Sequence, residues 1–258
     1  MPEPLDRDRI AALAGAAVRG VEVYASLPST NRYLADAVRG QRILHPLAVL
    51  AEQQSAGVGR RGKAWTSPPG NISLSLLSIF DVPLARLSGL SLVTGVAVAG
   101  VLRQLYDLRV SLKWPNDVLL DGHKLAGLLV EVPSANSSRT CIVTGVGVNV
   151  LPPENPDIRQ PVASLSEAVG EVDRNRLAGE LIRELDASYR RFISEGIGPV
   201  LQQWRSLDYL HGREVNVLIG ERTEQGLACG ITENGELQVQ IGDELRVFNS
   251  GDVSVRRR

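Results

Sequence analysis

The chain is short of the residues that build metal and redox centres: its 258 residues include only two cysteines and three histidines. Cys141 and Cys229 lie far apart with no C-x-x-C spacing, so they read as reduced thiols buried in strands, not as a disulfide or a zinc clamp. His45, His123 and His211 are scattered just as widely, which leaves no spacing for a structural zinc. Charge of one sign is lacking too. The formal net charge of −1 gives no general attraction to a nucleic-acid backbone. The start, Met1-Pro2-Glu3-Pro4-Leu5-Asp6, lacks the charged-then-apolar order of a secretory signal. The most apolar window, residues 87–105, is rich in Gly, Ala and Ser, follows Arg86 and holds Arg103 near its end, so it predicts a buried helix and no membrane span. Internal repeats and low-complexity tracts are missing as well. These absences leave a soluble, cytoplasmic protein with one large domain and a small appendage.

What is present is concentrated first in residues 51–71. Glycines 57, 59, 62 and 70, the cations Arg60, Arg61 and Lys63, and Trp65 stand between an ingoing strand (47–51) and an outgoing one (72–80). Glycine-rich backbone frees N–H groups to face an anion, and the side chains add full charges. The loop spells both G-x-G-x-x-G and G-x-x-x-x-G-K. Both motifs need a helix to begin at the loop. Here Thr66-Ser67-Pro68-Pro69-Gly70 forbids one, and Ala64 replaces the hydroxyl that would hold magnesium. Neither nucleotide-binding template applies. A basic surface loop without function is the plain alternative.

Taken in order, the chain predicts a short helix over 10–18, a strand at 21–24, and a helix after Leu27-Pro28-Ser29-Thr30-Asn31. Those three polar residues either cap the helix or bind a small polar ligand. Residues 72–76 alternate as a half-buried strand, and 84–106 read as one long helix, apolar nearly all round. A strand at 110–114 stops at Pro115-Asn116-Asp117, a hairpin turns at Asp121-Gly122, and another strand spans 140–150. Sequential hairpins argue for a mixed sheet and against a doubly wound parallel fold. Residues 151–161 form a proline-rich excursion. Asp173 caps a helix to Glu195 with Leu177, Leu181, Leu185, Tyr189 and Phe192 on one face, and a shorter helix follows at 199–209. From His211 onward, short alternating strands predict a small β-barrel of about fifty residues. Arg256-Arg257-Arg258 reads as a solvated basic tail. The predicted class is α+β, with a large domain over 1–209 and a small one over 210–258.

The loop Ala51-Glu-Gln-Gln-Ser-Ala-Gly-Val-Gly-Arg-Arg-Gly-Lys-Ala-Trp65, then Lys113-Trp-Pro-Asn-Asp117, Lys124-Leu-Ala-Gly127 and Gly145-Val-Gly-Val-Asn149, together resemble the biotin protein ligases. The motifs occur in that family's order and at about its spacing, from Ser29 to the C-terminal barrel. The resemblance implies a mixed sheet with packed helices, related to class II aminoacyl-tRNA synthetases, followed by an SH3-like barrel. It implies that biotin and ATP are joined as biotinyl-5′-adenylate and that biotin then passes to a lysine on the carrier domain of a biotin-dependent carboxylase. By that resemblance Ser29, Thr30, Asn31 and Gln54 contact the ureido head, and Val58, Gly59 and Gly127 complete the biotin site. Arg60 and Lys124 hold the activated intermediate. Arg61 and Lys63 touch pyrophosphate or stay in solvent. Asp117 orients the incoming amine or a Mg2+ ion carried by ATP. Asn149 assists at the phosphates or that metal, with no fixed protein metal site implied. Trp65 and Trp114 either wall the pocket or fill the core. The resemblance also admits a homodimer, which no edge strand in this sequence specifies.

The sequence departs from the family's pattern in three places. Val58 stands where an arginine is common, so one basic contact is missing and retention of the adenylate is expected to be altered. Residues 160–165 offer no aromatic side chain to stack on adenine. The 28 residues before Ser29 leave no room for the helix-turn-helix of repressor members, so no DNA partner is expected. A lipoate or octanoate ligase of the same fold is the rival enzyme, and a non-catalytic biotin-sensing module is the rival binding protein. The Arg-Arg glycine loop and the C-terminal barrel favour biotin.

Overall fold

Caps and side-chain periodicity fix the element order in the computed structural model, which describes residues 3–152, 161–250 and 253–257. The elements are α1 (Arg7–Ala14), β1 (Val21–Leu27), α2 (Thr30–Arg39), β2 (Leu47–Gln54), β3 (Ile72–Phe80), α3 (Leu90–Tyr106), β4 (Val110–Lys113), β5 (Asp117–Leu120), β6 (His123–Ala135), β7 (Thr140–Val148), α4 (Leu165–Val169), α5 (Arg174–Glu195) and α6 (Gly198–Leu207). Five strands follow: β8 (Glu214–Ile219), β9 (Arg222–Ile231), β10 (Leu237–Ile241), β11 (Glu244–Phe248) and β12 (Ser254–Arg257). The predicted proline-rich excursion lies mostly outside the described residues, as do Gln160 and Arg258.

The first seven strands form one sheet in the order β1-β2-β3-β7-β6-β5-β4. The β1–β2 pair is parallel and the remaining pairs are antiparallel, so the sheet is mixed. Period-two alternation sorts its side chains. On one face Leu50, Ile72, Leu74, Leu76, Ala126, Leu128, Val146 and Val148 join α3 and α5 in the main core. On the other face Val49, Leu77 and Val143 pack under Leu34 and Val38 of α2. Beyond α2 that second face carries glycines and serines at 73, 75, 127, 145 and 147, and this leaves room for a site.

Helix α5 begins where Asp173 caps it: its carboxylate accepts from the Arg176 N–H at 2.9 Å. Leu177, Leu181, Leu185, Tyr189 and Phe192 are all buried along one stripe, as their spacing requires. At the helix's start Arg174 is only 3% exposed. It pairs with Glu52 at 2.7 Å and donates to the carbonyl of Asn71, while Asn175 pins the backbone of Pro4 and Asp6. The N-terminal segment is thereby tied to the strand that enters the glycine loop.

Several expectations need correction. The opening helix starts earlier, at Arg7, because Asp6 caps it through the Asp8 and Arg9 N–H groups. The long apolar helix is interrupted: residues 84–87 form a 3-10 turn, and Gly89, at φ 84°, breaks the axis before α3. The segment over 84–106 is long and apolar enough to span a membrane, but Leu92, Val98, Ala99 and Leu102 are fully buried inside the fold. Cys141 is buried as expected, whereas Cys229 is half-buried in β9. The supposed basic tail is β12. Val253 and Val255 alternate into the core of the small sheet, ordered β11-β10-β9-β8-β12, and β12 pairs with β8.

Tyr189 ties three elements together. Its hydroxyl lies 2.9 Å from Thr94 Oγ1 on α3 and 2.8 Å from Thr144 Oγ1 on β7. Burial pushes the phenol up to about 12, so it stays a neutral bridge. Tyr189→Phe is expected to lower stability in urea by about 1–2 kcal/mol, because two buried hydroxyls lose a partner. A loss within experimental error would show that the bridge contributes nothing.

Candidate active site

The floor of the site is a set of rows across the uncovered sheet face. Ladder partners place Lys113, Asp117, Gly127, Gly147 and Ser73 side by side on β4, β5, β6, β7 and β3. One row over stand Leu129, Gly145 and Ser75. Glycine and serine leave almost no bulk there, and two larger groups use the space. The indole of Trp65 lies on the strip so closely that a Cβ at Gly147 would sit 2.5 Å from it and one at Gly127 2.7 Å. A Cβ at Gly145 would meet Asn31 Oδ1 at 2.5 Å. Above this floor opens a cavity of about 1110 Å³. Single small-molecule sites fill roughly 300–1,000 Å³, so this cavity lies at the large end of that range.

One end of the cavity is a neutral hydrogen-bonding cluster. Gln54 Oε1 accepts from the Thr30 backbone at 2.9 Å and from its hydroxyl at 3.1 Å, and Gln54 Nε2 donates to Ser67 at 2.8 Å. Ser75 Oγ lies 2.8 Å from Thr30 Oγ1 and 2.6 Å from Asn31 Oδ1, and Asn31 Nδ2 donates to Glu131 at 2.8 Å. Ser29 caps α2 by accepting from the Arg32 N–H at 3.4 Å, so the cap is real. It takes one residue of the corner, and all three line the cavity.

The other end is cationic. Residues 57–65 fold back on themselves as a flap: Gly59 N–H donates to Lys63 at 2.7 Å, Trp65 N–H to Gly57 at 2.9 Å, and Val58 bridges to Ala64. Arg61 takes the tip at φ 56°. Val58, Gly59, Arg60, Arg61 and Lys63 all border the cavity. Arg60 reaches across it to Asn116 Oδ1 at 3.4 Å and to the carbonyl of Ser250, just beyond β11. Burial pushes its guanidinium below the usual value; Asp117 opposes the shift and Arg61 adds to it. Lys124 is mostly covered, with its side chain 16% exposed. It pairs with Asp117 Oδ1 at 2.7 Å, and its ammonium stands 5.1 Å from the Trp65 ring centroid. Asn149 donates to the Lys124 carbonyl at 3.1 Å, so it braces the strand that presents the lysine.

The structure therefore brings every candidate of the sequence reading to one cavity. Both tryptophans border the cavity: Trp65 forms a wall, and Trp114, 2% exposed, also fills the core and donates to the Gly235 carbonyl at 3.0 Å. Sequence reasoning missed four residues. Ser73 and Ser75 were legible only as the polar half of an alternating strand. Lys113 was hidden inside a motif, and Arg256 was taken for a tail. Among the described residues six cationic side chains line the cavity against one carboxylate, Asp117, a balance that favours anions.

The geometry has close counterparts among known proteins. Residues 23–149 match the Biotin/lipoate A/B protein ligase family and residues 210–256 the Biotin protein ligase C terminal domain. The bifunctional ligase/repressor BirA of Escherichia coli is 37% identical over 260 residues, covering 99% of this chain and 80% of that protein. The biotin--[acetyl-CoA-carboxylase] ligase of Mycobacterium tuberculosis is 35% identical over 263 residues, covering 97% of this chain and 95% of the relative. The Aquifex aeolicus biotin protein ligase, solved with biotin and ATP, superimposes with a TM-score of 0.79 at 26% identity, covering 93% of this chain and all of that one. With the polar end, the glycine floor and the cationic end arranged in one cavity, these matches place the chain among the biotin protein ligases of the biotin/lipoate A/B protein ligase family.

Proposed function

We propose that the protein activates biotin with ATP to biotinyl-5′-AMP and transfers the biotinyl group to a lysine of a carboxylase's biotin carrier domain. One observation carries the reading: a single cavity has neutral donors and acceptors at one end, cations at the other, and a flat strip between them. A ureido ring offers two N–H donors and a carbonyl acceptor, which suits Ser29, Thr30, Asn31 and Gln54. The valeryl chain then runs over the Trp65 indole that Gly127 and Gly147 seat, and its carboxylate arrives at Lys124. Val58 and Gly59 close over it from the flap.

In the first step a carboxylate oxygen attacks the α-phosphorus of ATP, and the bond to the bridging oxygen breaks as pyrophosphate leaves. Two anions must approach, so neutralising them is the main catalytic demand. Arg60 can clasp two oxygens at once, and Lys124 exchanges Asp117 for the acyl phosphate. Arg61 and Lys63 face the outgoing pyrophosphate. In the second step a neutral lysine amine attacks the biotinyl carbonyl carbon, and the bond to the phosphate oxygen breaks to release AMP. Asp117, freed from Lys124, orients that amine. Asn149 acts through the backbone of Lys124. We assign Mg2+ to the phosphates of ATP, the usual partners of that ion in nucleotide sites. We read residues 1–209 as the catalytic unit and 210–258 as a wall of its site. ATP chemistry and unpaired thiols suit the cytoplasm.

Pyrophosphate exchange into ATP, run with biotin, with lipoate and with neither, tests the reading. Exchange is expected with biotin only. Lipoate-driven exchange alone would transfer the protein to the rival ligases, and none with either would leave a binding module. Arg60→Ala and Lys124→Ala should each slow biotin-dependent exchange by about 10²-fold or more, with melting temperatures close to that of the parent. Normal exchange by the lysine variant would remove Lys124 from the chemistry. Gly147→Ala should displace the Trp65 indole and raise KM for biotin about tenfold; an unchanged KM would mean that the strip does not carry the valeryl chain.

A further inference from the structure

Lys113 has no part in the scheme above, yet it is placed for one. It stands opposite Asp117 in the β4–β5 ladder, on the same sheet face, and lines the cavity. Asp117 is already engaged by Lys124 at 2.7 Å. Among the described residues the Lys113 ammonium donates no hydrogen bond and forms no ion pair. The charged and titratable groups that face it are Asp117, Lys124, Tyr209 and Arg256. Burial pushes its ammonium below the usual lysine value; Asp117 and Tyr209 oppose that shift, and Lys124 and Arg256 reinforce it.

A half-buried ammonium without a counterion costs folding stability, and a site keeps one where an incoming ligand compensates. The other deep cations of this cavity are matched internally, Arg60 by Asn116 and the Ser250 carbonyl and Lys124 by Asp117. Position in the sheet selects the ligand. Lys113 is one strand beyond Asp117, the residue that holds the Lys124 ammonium, about 5 Å at the usual strand spacing. A carboxylate and an α-phosphate meeting at Lys124 therefore lie short of it, whereas the next two phosphates of a nucleoside triphosphate extend to it.

We propose that Lys113 binds the β- and γ-phosphates of ATP and holds them as they depart as pyrophosphate. The proposal rests on the adenylation reading. The ammonium stays protonated throughout: it donates hydrogen bonds to the phosphate oxygens, which take up the electron pair of the broken P–O bond, and no proton is transferred.

The test compares Lys113→Met and Lys113→Arg with the parent in the full-length chain. Both variants should fold, since an apolar side chain removes an unpaired buried charge and arginine keeps it. In biotin-dependent exchange Lys113→Met should raise KM for ATP and for pyrophosphate about tenfold or more, with KM for biotin changed less than about twofold. Lys113→Arg should restore most of the loss. Transfer from supplied biotinyl-5′-AMP to a carrier domain should proceed at the parent rate. An unchanged pyrophosphate KM overturns the proposal. So does slowed transfer with intact ATP kinetics, which would assign Lys113 to the acceptor amine, and so does an equal loss for ATP and biotin, which would make it structural. Calorimetric binding of inorganic pyrophosphate needs no chemistry. It decides the anion site even if the parent shows no biotin-dependent exchange, an outcome that would count against the ligase reading alone.

Discussion

The site depends on side chains that are not there. A sheet face normally fills itself, because alternate residues of every strand project onto it. At positions 127, 145 and 147 the projecting groups are hydrogens, and at 73 and 75 they are short hydroxyls. The trough this leaves is narrow enough to seat the edge of an indole and long enough to join two chemically different ends. Glycine within strands costs stability, through chain entropy and lost packing. The opposite face, dense with leucine and valine against α3 and α5, supplies the cohesion that tolerates it.

The cationic end illustrates a second compromise. Cations crowded in a partly buried space repel one another, and the fold relieves this with minimal countercharge. A single carboxylate serves Lys124, while neutral acceptors, an amide oxygen and a backbone carbonyl, serve Arg60. Such partners hold the side chains in place yet give way to a phosphate, whose charge they cannot match. More carboxylates would have made a tighter resting structure and a poorer receptor.

Much of this was legible in the chain because local rules and global fold agree. The hairpin turn at Asp121-Gly122, the α5 stripe, and the Asp173 cap each follow from short-range chemistry, and each stands close to where the residues indicated. The candidate residues were legible because they travel in compact motifs. What stayed hidden was tertiary. Nothing near Lys124 announces that Asp117 will fold back onto it across a bulged ladder. Nothing in Arg256 announces that the chain's end will be a strand at the rim of a cavity built by the other sheet, although Val253 and Val255 carry a two-residue alternation too short to weigh against three arginines. The interruption at Gly89 was missed because the apolar count on both sides outweighed one flexible residue.

The contact between Trp114 and Gly235 couples the two sheets through a fluorophore. The indole N–H crosses from the strand-end motif of the catalytic sheet to a carbonyl in the β9–β10 turn, and the ring is sealed from water as long as that turn is seated. If the small barrel lifts away, the ring must become wet. Undocking of one unit from the other is therefore written into the intrinsic emission of the protein, without any label.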